Sequence, residues 1–428
     1  MSVNLTFTTL GELIRGKREE QGISLSEVSR KTGISKGGIS KIENGETKGP
    51  ELSTLKPIAD VLEIPYEELI EYCIKAEYRY DVYDDLLEEA IEIANPSLIN
   101  KVAIKFLENN KHETDSALEH LERFADSSTN NDTKITLYKT IVKYSRQHGI
   151  PCYIAKGLYQ KYLIERQNLK RLEESFRDGE EIAHYVDFLS DKDKVTYYFK
   201  MALQAFAIKK YDKCIEYCEE GIKVDTSSNE LKARAYLSMI NSYGFMRNYD
   251  LADYHLDIFE KFDFEFVSDA SKINRAIIQA RKKQFHIAIP ALREYYKTAQ
   301  TDVKIHVVNE LLNIYFQKND FNSIKKIFAI ESEFLPRNPT TPYKIISIGK
   351  YFQYKGNYLS KSCIIQEGVD SYLLSLKTYG IINAFQEIAE CMTEFLALFT
   401  ENSKVIDLEH VVRIKQVYTD IINKKELI

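Results

Sequence analysis

The amino-acid sequence predicts an all-α protein, with a small helical domain at the N-terminus followed by a long array of helical repeats. Apolar residues recur at helical spacing over most of the 428 residues, and the alternation typical of strands is absent. Two short amphipathic helices joined by a tight turn lie near the start of the chain, and helical segments after residue 190 recur every 36–38 residues. These three observations define the predicted fold class.

The first segment that the pattern defines runs from Leu10 to Pro50. Gly22 ends a first helix, and Ser24 is a candidate cap for a second. The turn Thr32-Gly33-Ile34 follows, and Ser35 is positioned to cap a third helix that stops at Asn44-Gly45. Two helices with a short glycine-containing turn are the helix-turn-helix signature, a geometry that places one helix in a DNA groove.

At these positions the sequence resembles the Cro/repressor (XRE-type) DNA-binding family. The similarity covers about Leu10 to Leu69 and is carried by Leu10, Arg18, Gly22, Val28, Gly33, Ile39, the Ile42-Glu43-Asn44-Gly45 run and Pro50. The resemblance implies that Arg18 pairs with Glu43 and ties the first helix to the recognition helix. Arginine suits this role because its planar fork can hold a carboxylate through two hydrogen bonds.

The same resemblance assigns the residues expected to contact DNA. They are Ser24, Ser26, Ser35, Lys36, Gly37, Gly38, Ser40, Lys41 and Asn44. Lys36, Gly37 and Lys41 fall where the family reads base edges, whereas Ser40 and Asn44 lie nearer the DNA backbone. The lysines could donate to guanine N7 and O6. The adjacent glycines either permit close approach to DNA or mark a helix that orders fully on the operator.

One position departs from the family pattern. Leu25 stands where the family usually has a glutamine that donates to a DNA phosphate. Leucine cannot donate, so this contact is either lost or made by Ser24, Ser26 or a backbone amide.

Composition excludes several classes of protein. No segment approaches 18 uncharged apolar residues, and the N-terminus lacks the basic and apolar regions of a secretory signal, so we expect a cytoplasmic protein with no membrane partner. The six cysteines form no CxxC pair, and we expect Cys214 and Cys218 to pack rather than to bind metal. Phosphate-binding and nucleophile motifs are missing, which predicts no enzyme, no cofactor and no metal.

The net charge of −6 is unevenly distributed. Residues 1–50 carry eight Lys and Arg against six Glu, so the acidic excess lies in the remainder. The sequence therefore predicts that DNA contact belongs to the front of the chain.

Helical periodicity extends the N-terminal domain. A fourth helix is predicted over Leu52–Leu62 with Ser53 opening it, and Pro65 starts a fifth in its favoured first-turn position. We predict a DNA-binding domain over 1–72, a helical connector over 73–95 (its helix spanning Glu77 to Ala94) and a repeat array over 96–428.

The array resembles the tetratricopeptide (TPR) plan, with a slightly longer repeat. A step of Tyr or Phe followed three residues later by a usually small residue begins at Tyr211, Tyr249, Phe285, Phe321 and Tyr358. Helices at 134–147, 152–166 and 169–187 are predicted as diverged earlier repeats, and the segment from Tyr379 to Lys424 as a capping pair. Such repeats stack into a superhelix whose concave face is lined by the first helix of each repeat.

The TPR register places several polar and aromatic residues on that concave face. The predicted peptide-binding residues are Arg234, Asn241, Asn274, Asn309, Asn313, Phe316, Tyr343 and Lys350, with Gln353 beside them. Asparagine amides can both donate to and accept from an extended peptide backbone. Because asparagine is a poor helix former, its use in the middle of helices favours binding over a solvated turn, the role expected for Asn319 and Asn357.

Together the two parts resemble the peptide-responsive regulators of Gram-positive bacteria, the Rap–Rgg–NprR–PlcR–PrgX group, and within it most closely the NprR branch. The resemblance implies a homodimer or higher homo-oligomer that binds double-stranded operator DNA and a short, secreted and re-imported oligopeptide. It also allows a response-regulator-like phosphorelay partner. The alternatives are a constitutive regulator whose array binds another protein, and a phage- or plasmid-encoded peptide-responsive regulator.

Overall fold

The computed structural model describes residues 7–47, 49–75, 80–108, 113–336, 339, 341–401 and 408–426. These residues form α-helices, short 3-10 helices and turns, with no strand among them. The predicted all-α class is confirmed.

The chain divides into two compact units. One comprises Met1–Ile164 with Glu181–Leu189, and the other comprises Glu165–Glu180 with Ser190–Ile428. The first unit therefore holds the predicted DNA-binding segment, the connector and the earliest helices assigned to the array. The boundaries near residues 72 and 95 remain predictions about which segments fold independently.

Five short helices open the first unit. They are α1 (Leu10–Glu20), α2 (Leu25–Thr32), α3 (Lys36–Glu43), α4 (Leu52–Val61) and α5 (Tyr66–Cys73). The predicted order of the helix-turn-helix is confirmed, with α2 and α3 as its two helices.

Two predictions at the ends of these helices are wrong by a residue or two. Ser53 does not cap α4; Glu51 occupies the cap position, and the Ser53 hydroxyl donates to the Glu51 carboxylate at 3.4 Å. Pro65 precedes α5 at its cap position rather than lying in the first turn. In α4 the extended backbone of Glu51 makes it the cap residue, and in α5 the helix begins one residue after Pro65.

Five further helices follow in chain order. They are α6 (Tyr80–Ile93), α7 (Pro96–Glu108), α8 (Thr114–Ser127), α9 (Asn131–His148) and α10 (Pro151–Glu165). The predicted connector is α6, although the predicted start at Glu77 lies outside the described residues. Leu86 and Leu87 of α6 are buried in the apolar core that begins at Leu10, and Glu89 pairs with Lys56 of α4. The connector thus shares one core with the DNA-binding helices.

The helix predicted over 169–187 is broken. A 3-10 helix (Leu169–Arg171) is followed by α11 (Leu172–Glu180) and a second 3-10 helix (Glu181–Phe188). Near the break, the hydroxyl of Tyr197 donates to the carbonyl oxygen of Gly179 at 3.1 Å. This hydrogen bond takes a carbonyl that a continuing helix would use.

Twelve helices of the second unit form the array. They are α12 (Asp191–Ala207), α13 (Tyr211–Val224), α14 (Glu230–Phe245), α15 (Tyr249–Phe259), α16 (Glu265–Arg281), α17 (Phe285–Thr298), α18 (Thr301–Gln317), α19 (Phe321–Phe328), α20 (Pro342–Lys361), α21 (Ile365–Gly380), α22 (Phe385–Glu401) and α23 (Leu408–Glu426). Neighbouring helices pack in sequence, as in a helical solenoid.

A left-handed turn residue separates the two helices in five of the repeats. Non-glycine residues with φ between 52° and 63° occupy this position at Lys209, Arg247, Lys283, Asn319 and Cys363. Four of the five predicted steps, from Tyr211 to Phe321, begin the second helix of their repeat and are confirmed. Asn319 lies at such a turn, as expected.

The fifth predicted step is wrong. Tyr358 and Asn357 lie inside α20, and the turn follows at Cys363. Gly356 suggests a turn in the sequence, but it serves close packing, because a Cβ there would lie 2.6 Å from the Tyr372 ring. Asn357 is therefore not on a solvated turn, and its Oδ1 is buried.

Contacts between the first and last repeats close the array within the second unit. The ammonium of Lys209 lies 2.8 Å from Glu387 Oε1 of α22, and the Asn383 amide donates to the Lys170 carbonyl at 3.3 Å. In an open solenoid each repeat touches only its neighbours. These contacts therefore make the array a closed ring of repeats.

We expect charge reversal at this closure to be rescued by the swapped pair. Lys209→Glu and Glu387→Lys should each lower the free energy of unfolding by about 1 kcal/mol, since the pair is only partly buried. Hydrogen exchange of α12 and α22 should rise in each single variant and return towards the original rate in the double variant. Lys213→Glu, at an exposed local pair with Glu216, is the control. Failure of the double variant to recover would show that the pair does not hold the ring closed.

Candidate nucleic-acid interface and inner face of the array

Side-chain caps set the helix-turn-helix geometry. Ser24 Oγ accepts a hydrogen bond from the Glu27 amide at 3.2 Å, and Ser35 Oγ accepts one from the Gly38 amide at 3.1 Å. Gly33 ends α2 with φ of 75°, a conformation that favours glycine. The predicted caps are confirmed, and they leave Ser26 exposed in the first turn of α2.

The recognition helix α3 presents its predicted base-reading residues to solvent. Lys36, Gly37 and Lys41 are exposed, and among the described residues neither lysine has an ion-pair partner. Gly38 and Ser40 are half-buried. Both ammonium groups are therefore available to an acceptor on DNA.

The two glycines of α3 differ in what surrounds them. A Cβ at Gly37 would meet nothing within 4 Å, whereas one at Gly38 would lie 3.1 Å from the capping hydroxyl of Ser35. Gly38 thus has a packing reason to be glycine. Gly37 has no packing reason to be glycine within the fold.

Arg18 and Glu43 lie together as a bidentate pair. Arg18 Nε is 2.7 Å from Glu43 Oε1, and Nη2 is 2.9 Å from Oε2. The Glu43 side chain is 3 % exposed, and the hydrogen bonds that Arg18 donates to Glu43 raise the pKa of Arg18 above its ordinary value. Arg15 lies on the other side of Glu43 and also donates to Asn44 Oδ1. Asn44, predicted near the DNA backbone, is therefore oriented by α1.

Sequence reasoning missed Gly11 as a determinant of this interface. A Cβ at Gly11 would lie 2.6 Å from the carbonyl oxygens of both Ile42 and Glu43. These are backbone atoms that cannot rotate away, so glycine lets α1 pack directly on the end of α3. The residues immediately before and after Gly11 carried no signal for this contact.

In the second unit, one side of the first helices of the repeats forms a surface that we call the inner face. It comprises Phe206, Phe245, Arg281, His306, Asn309, Glu310, Asn313, Phe316, Tyr343, Lys350, Gln353 and Tyr354. The ring centroids of Phe206 on α12 and Tyr343 on α20 are 6.2 Å apart although the two helices belong to distant repeats. Such a contact requires that these sides face one another across the concave side of the array.

An aromatic group occupies part of the inner face. Phe245 stacks on Tyr211 with centroids 4.8 Å apart, and Tyr343 stacks on His306 at 4.3 Å. Phe206 lies 6.2 Å from both Phe245 and Tyr343. The sequence predicted Tyr343, but not Phe206 or Phe245.

Tyr343 is exposed to solvent and yet surrounded by protein. Tyr343 keeps 48 % of its surface exposed, while burial of the phenol raises the pKa of Tyr343 to about 12. These two properties coexist where a side chain lines a concavity. The Tyr343 hydroxyl has no hydrogen-bond partner among the described residues, so it can bond a ligand.

An ion pair also lies near this aromatic group. Arg281 of α16 pairs with Glu310 of α18: Nη2 lies 2.9 Å from Oε1, and Nη1 lies 2.9 Å from Oε2. Burial alone would lower the pKa of Arg281, but the attraction of Glu310 outweighs it, and the pKa lies above its ordinary value. This part of the inner face is therefore polar without carrying net charge.

Two amides of the inner face have an unused polar atom. Asn309 donates to the Ser347 carbonyl at 2.8 Å, and its Oδ1 is buried with no partner among the described residues. Gln353 accepts from Lys350 and from the Tyr379 hydroxyl, while its Nε2 has no partner there either. The N–H of a peptide group could donate to the unused acceptor, and its C=O could accept from the unused donor.

The other predicted peptide ligands differ in availability. Asn241 donates to the Leu237 carbonyl of its own helix, and Asn313 accepts from Gln317, so each retains part of its amide. Phe316 stacks on Tyr354 at 5.4 Å, and the Lys350 ammonium lies 5.3 Å from the same ring. All of these side chains are half-buried.

Two other predicted ligands already have partners within the array. Asn274 is 6 % exposed and donates to the Ala270 carbonyl, so its amide is used within its own helix. Arg234 pairs with Glu230 and covers the Phe266 ring at 4.5 Å. The predicted asparagine ladder is thus interrupted at α16.

Within the described part of the chain, no group of three or more His, Cys, Asp or Glu side chains could hold a metal ion. Nor does any helix there have the length and apolar character needed to cross a membrane.

The geometry of the first unit defines a DNA-binding protein of the helix-turn-helix class. The helix-turn-helix family model matches residues 14–69. The HTH-type transcriptional repressor RghR of Bacillus subtilis is 35 % identical over 107 residues, which cover 23 % of this chain and 79 % of that protein. The chain belongs to this family of helix-turn-helix transcription regulators.

Two solved structures resemble the chain over most of its length. Bacillus thuringiensis PlcR, solved with the peptide PapR7 and DNA, is 14 % identical, with 91 % of this chain and 98 % of that chain covered and a TM-score of 0.24. The structure of phAimR is 13 % identical, with 95 % of this chain and 100 % of that chain covered and a TM-score of 0.37. These similarities are too low for any site to be transferred.

Proposed function

We propose that this transcription regulator is controlled by a short peptide bound on the inner face of its repeat array. The observation that carries the proposal is the unused Oδ1 of Asn309, a buried acceptor beside exposed aromatic rings. A buried polar atom without a partner is costly, and a peptide N–H would satisfy it. The proposal places the regulator in the cytoplasm, within the peptide-responsive group that its sequence resembles and closest to the NprR branch.

The proposal also states that the regulator binds a near-palindromic operator as a homodimer through its helix-turn-helix. A single recognition helix covers too few base pairs for specificity, and a two-fold dimer reads two half-sites about one helical turn, or a multiple, apart. Lys36 and Lys41 read bases, and Ser24, Ser26, Ser35, Ser40 and Asn44 position the domain on the DNA backbone.

The second candidate is a constitutive regulator whose array binds another protein, such as a phosphorelay protein. The closed ring favours the peptide, because the inner face it encloses suits an extended chain better than a folded domain. Phage or plasmid origin is compatible with either function.

We expect Asn309→Ala to weaken peptide binding without unfolding the array. The full chain is immobilised and used to select binders from a random heptapeptide library, and the affinity of a selected peptide is measured by calorimetry. Loss of the amide should cost about 0.5–1.5 kcal/mol, and more if a peptide N–H is left buried and unpaired. Asn322→Ala, at an exposed position of α19, is the control. If the wild-type chain selects no peptide, the array is a protein-binding scaffold.

A further inference from the structure

The rings at the centre of the inner face are held in place but incompletely covered. Phe245 keeps 54 % of its surface exposed while one of its faces is stacked on Tyr211, with the two planes only 6° apart. Tyr343 is likewise exposed and has one face covered by His306. Phe206 lies at equal distance from both rings, tilted by 45° to each. Together Phe206, Phe245 and Tyr343 form what we call the aromatic pocket.

From this arrangement we infer that the aromatic pocket binds an aromatic side chain of the regulatory peptide. The inference rests on the proposed function and names the class of peptide. Aromatic rings attract one another at centroid separations of 4.5–7 Å in stacked or edge-to-face geometry. Because Phe245 and Tyr343 each have one face already stacked, each has a free face or edge for a ring that enters beside Phe206.

The charges around the pocket distinguish an aromatic side chain from a cationic one. Aromatic pockets also bind cations, most strongly where carboxylates add negative charge. Here Glu310 pairs with Arg281, and the Lys209 ammonium lies 2.8 Å from Glu387 Oε1 and 3.8 Å from Glu390 Oε1. A lysine or arginine of the peptide would have to compete with Arg281 or Lys209 for these carboxylates. The free hydroxyl of Tyr343 can in addition accept from an indole N–H, or accept from or donate to a tyrosine hydroxyl.

The pocket lies next to the amides that hold the peptide backbone. His306, which stacks on Tyr343, donates to or accepts from the Ser347 hydroxyl at 2.8 Å, and Asn309 bonds the carbonyl of the same serine. A backbone held at Asn309 therefore passes beside Tyr343. One aromatic residue in a short peptide can reach the pocket while its neighbours bond the amides.

The test uses random heptapeptides selected on the full-length chain. We expect Phe, Tyr or Trp to be enriched at one position of the selected peptides. Phe245→Ala and Tyr343→Ala should each weaken a selected peptide about 10-fold or more, and should have little further effect on the same peptide with that aromatic residue replaced by alanine. Both side chains are half-exposed, so the variants should keep the fold, which circular dichroism checks. Tyr254→Ala, an aromatic residue exposed on α15, is the control.

The outcomes separate this inference from the function on which it rests. Selected peptides that bind Phe245→Ala and Tyr343→Ala as tightly as the wild-type chain, or that are enriched in Lys or Arg instead, would overturn the inference while supporting a peptide receptor. Failure of the wild-type chain to retain any peptide would overturn the proposed function and this inference with it. If both alanine variants lose the fold together with the affinity, Phe245→Leu and Tyr343→Leu are measured instead. Leucine keeps apolar volume at these positions but offers no ring. The inference expects these variants to fold and still to bind the peptide weakly.

Discussion

Glu43→Ala is expected to lower the free energy of unfolding of the first unit by about 3–5 kcal/mol. The carboxylate is 3 % exposed and is held by two hydrogen bonds from Arg18, whose side chain is 13 % exposed. Removing one partner leaves the other charge buried without compensation, and this uncompensated burial accounts for most of the cost. Arg15 would lose its ion pair with Glu43 as well, which leaves its hydrogen bonds to the Glu43 carbonyl and to Asn44 Oδ1.

Chemical denaturation of the full chain, with hydrogen exchange resolving α1 and α3, measures this effect. The full chain is required because the apolar core of α1–α5 continues into α6 and beyond. Glu46→Ala, at an exposed position just after α3, is the matched control and should change stability by less than about 0.5 kcal/mol. A similarly small change for Glu43→Ala would mean that the pair contributes little to holding the recognition helix.

Replacing Lys36 and Lys41 together by alanine should remove most of the preference for operator over random DNA. Each lysine that donates to a guanine contributes about 1–3 kcal/mol of discrimination, so the double variant should lose roughly 30- to 10⁴-fold in specific affinity. Binding to random duplexes should fall much less. A lysine that contacts only phosphate would instead weaken both equally and reduce the salt dependence.

The measurement is fluorescence anisotropy on the duplex that the wild-type chain selects from random sequences, at two salt concentrations. Lys31→Ala on α2 is the control, since this lysine is exposed and already pairs with Glu27. Equal losses on selected and random duplexes would contradict base reading by Lys36 and Lys41.

The parts of the fold that were predicted correctly depend on local chemistry. Ser24, Ser35 and Gly33 set the ends of α2 and α3 through hydrogen bonds or backbone angles that involve residues at most four positions away. The aromatic residues that begin the second helices, such as Tyr211, are recognisable because they recur at a nearly constant interval.

The errors arise where distant parts of the chain decide the structure. Gly356 looks like a turn residue, but the ring of Tyr372 requires glycine there within a continuous helix. Gly11 gives no local signal for its contact with the backbone of Ile42 and Glu43. The pairing of Lys209 with Glu387 joins residues that no repeat rule places together.

The candidate peptide site was predicted only in part, because contacts between distant residues also decide which side chains are available there. The register identified Asn309 and Tyr343, which lie on the inner face, but it also selected Asn274, whose amide is buried and bonded within its helix. Phe206 and Phe245 were missed. The recurrence of an aromatic residue just before the left-handed turn, at Phe206, Phe245 and Phe316, was the available signal.

The central claim is that peptide bound to the array changes DNA binding by the helix-turn-helix. The direct test is an anisotropy titration of the selected operator with the full chain, with and without a saturating concentration of a selected peptide. We expect the operator Kd to change by about 5- to 150-fold, the usual range of coupling between two sites, and Asn309→Ala to require more peptide for the same change. An operator Kd that is identical with and without saturating peptide would contradict the claim.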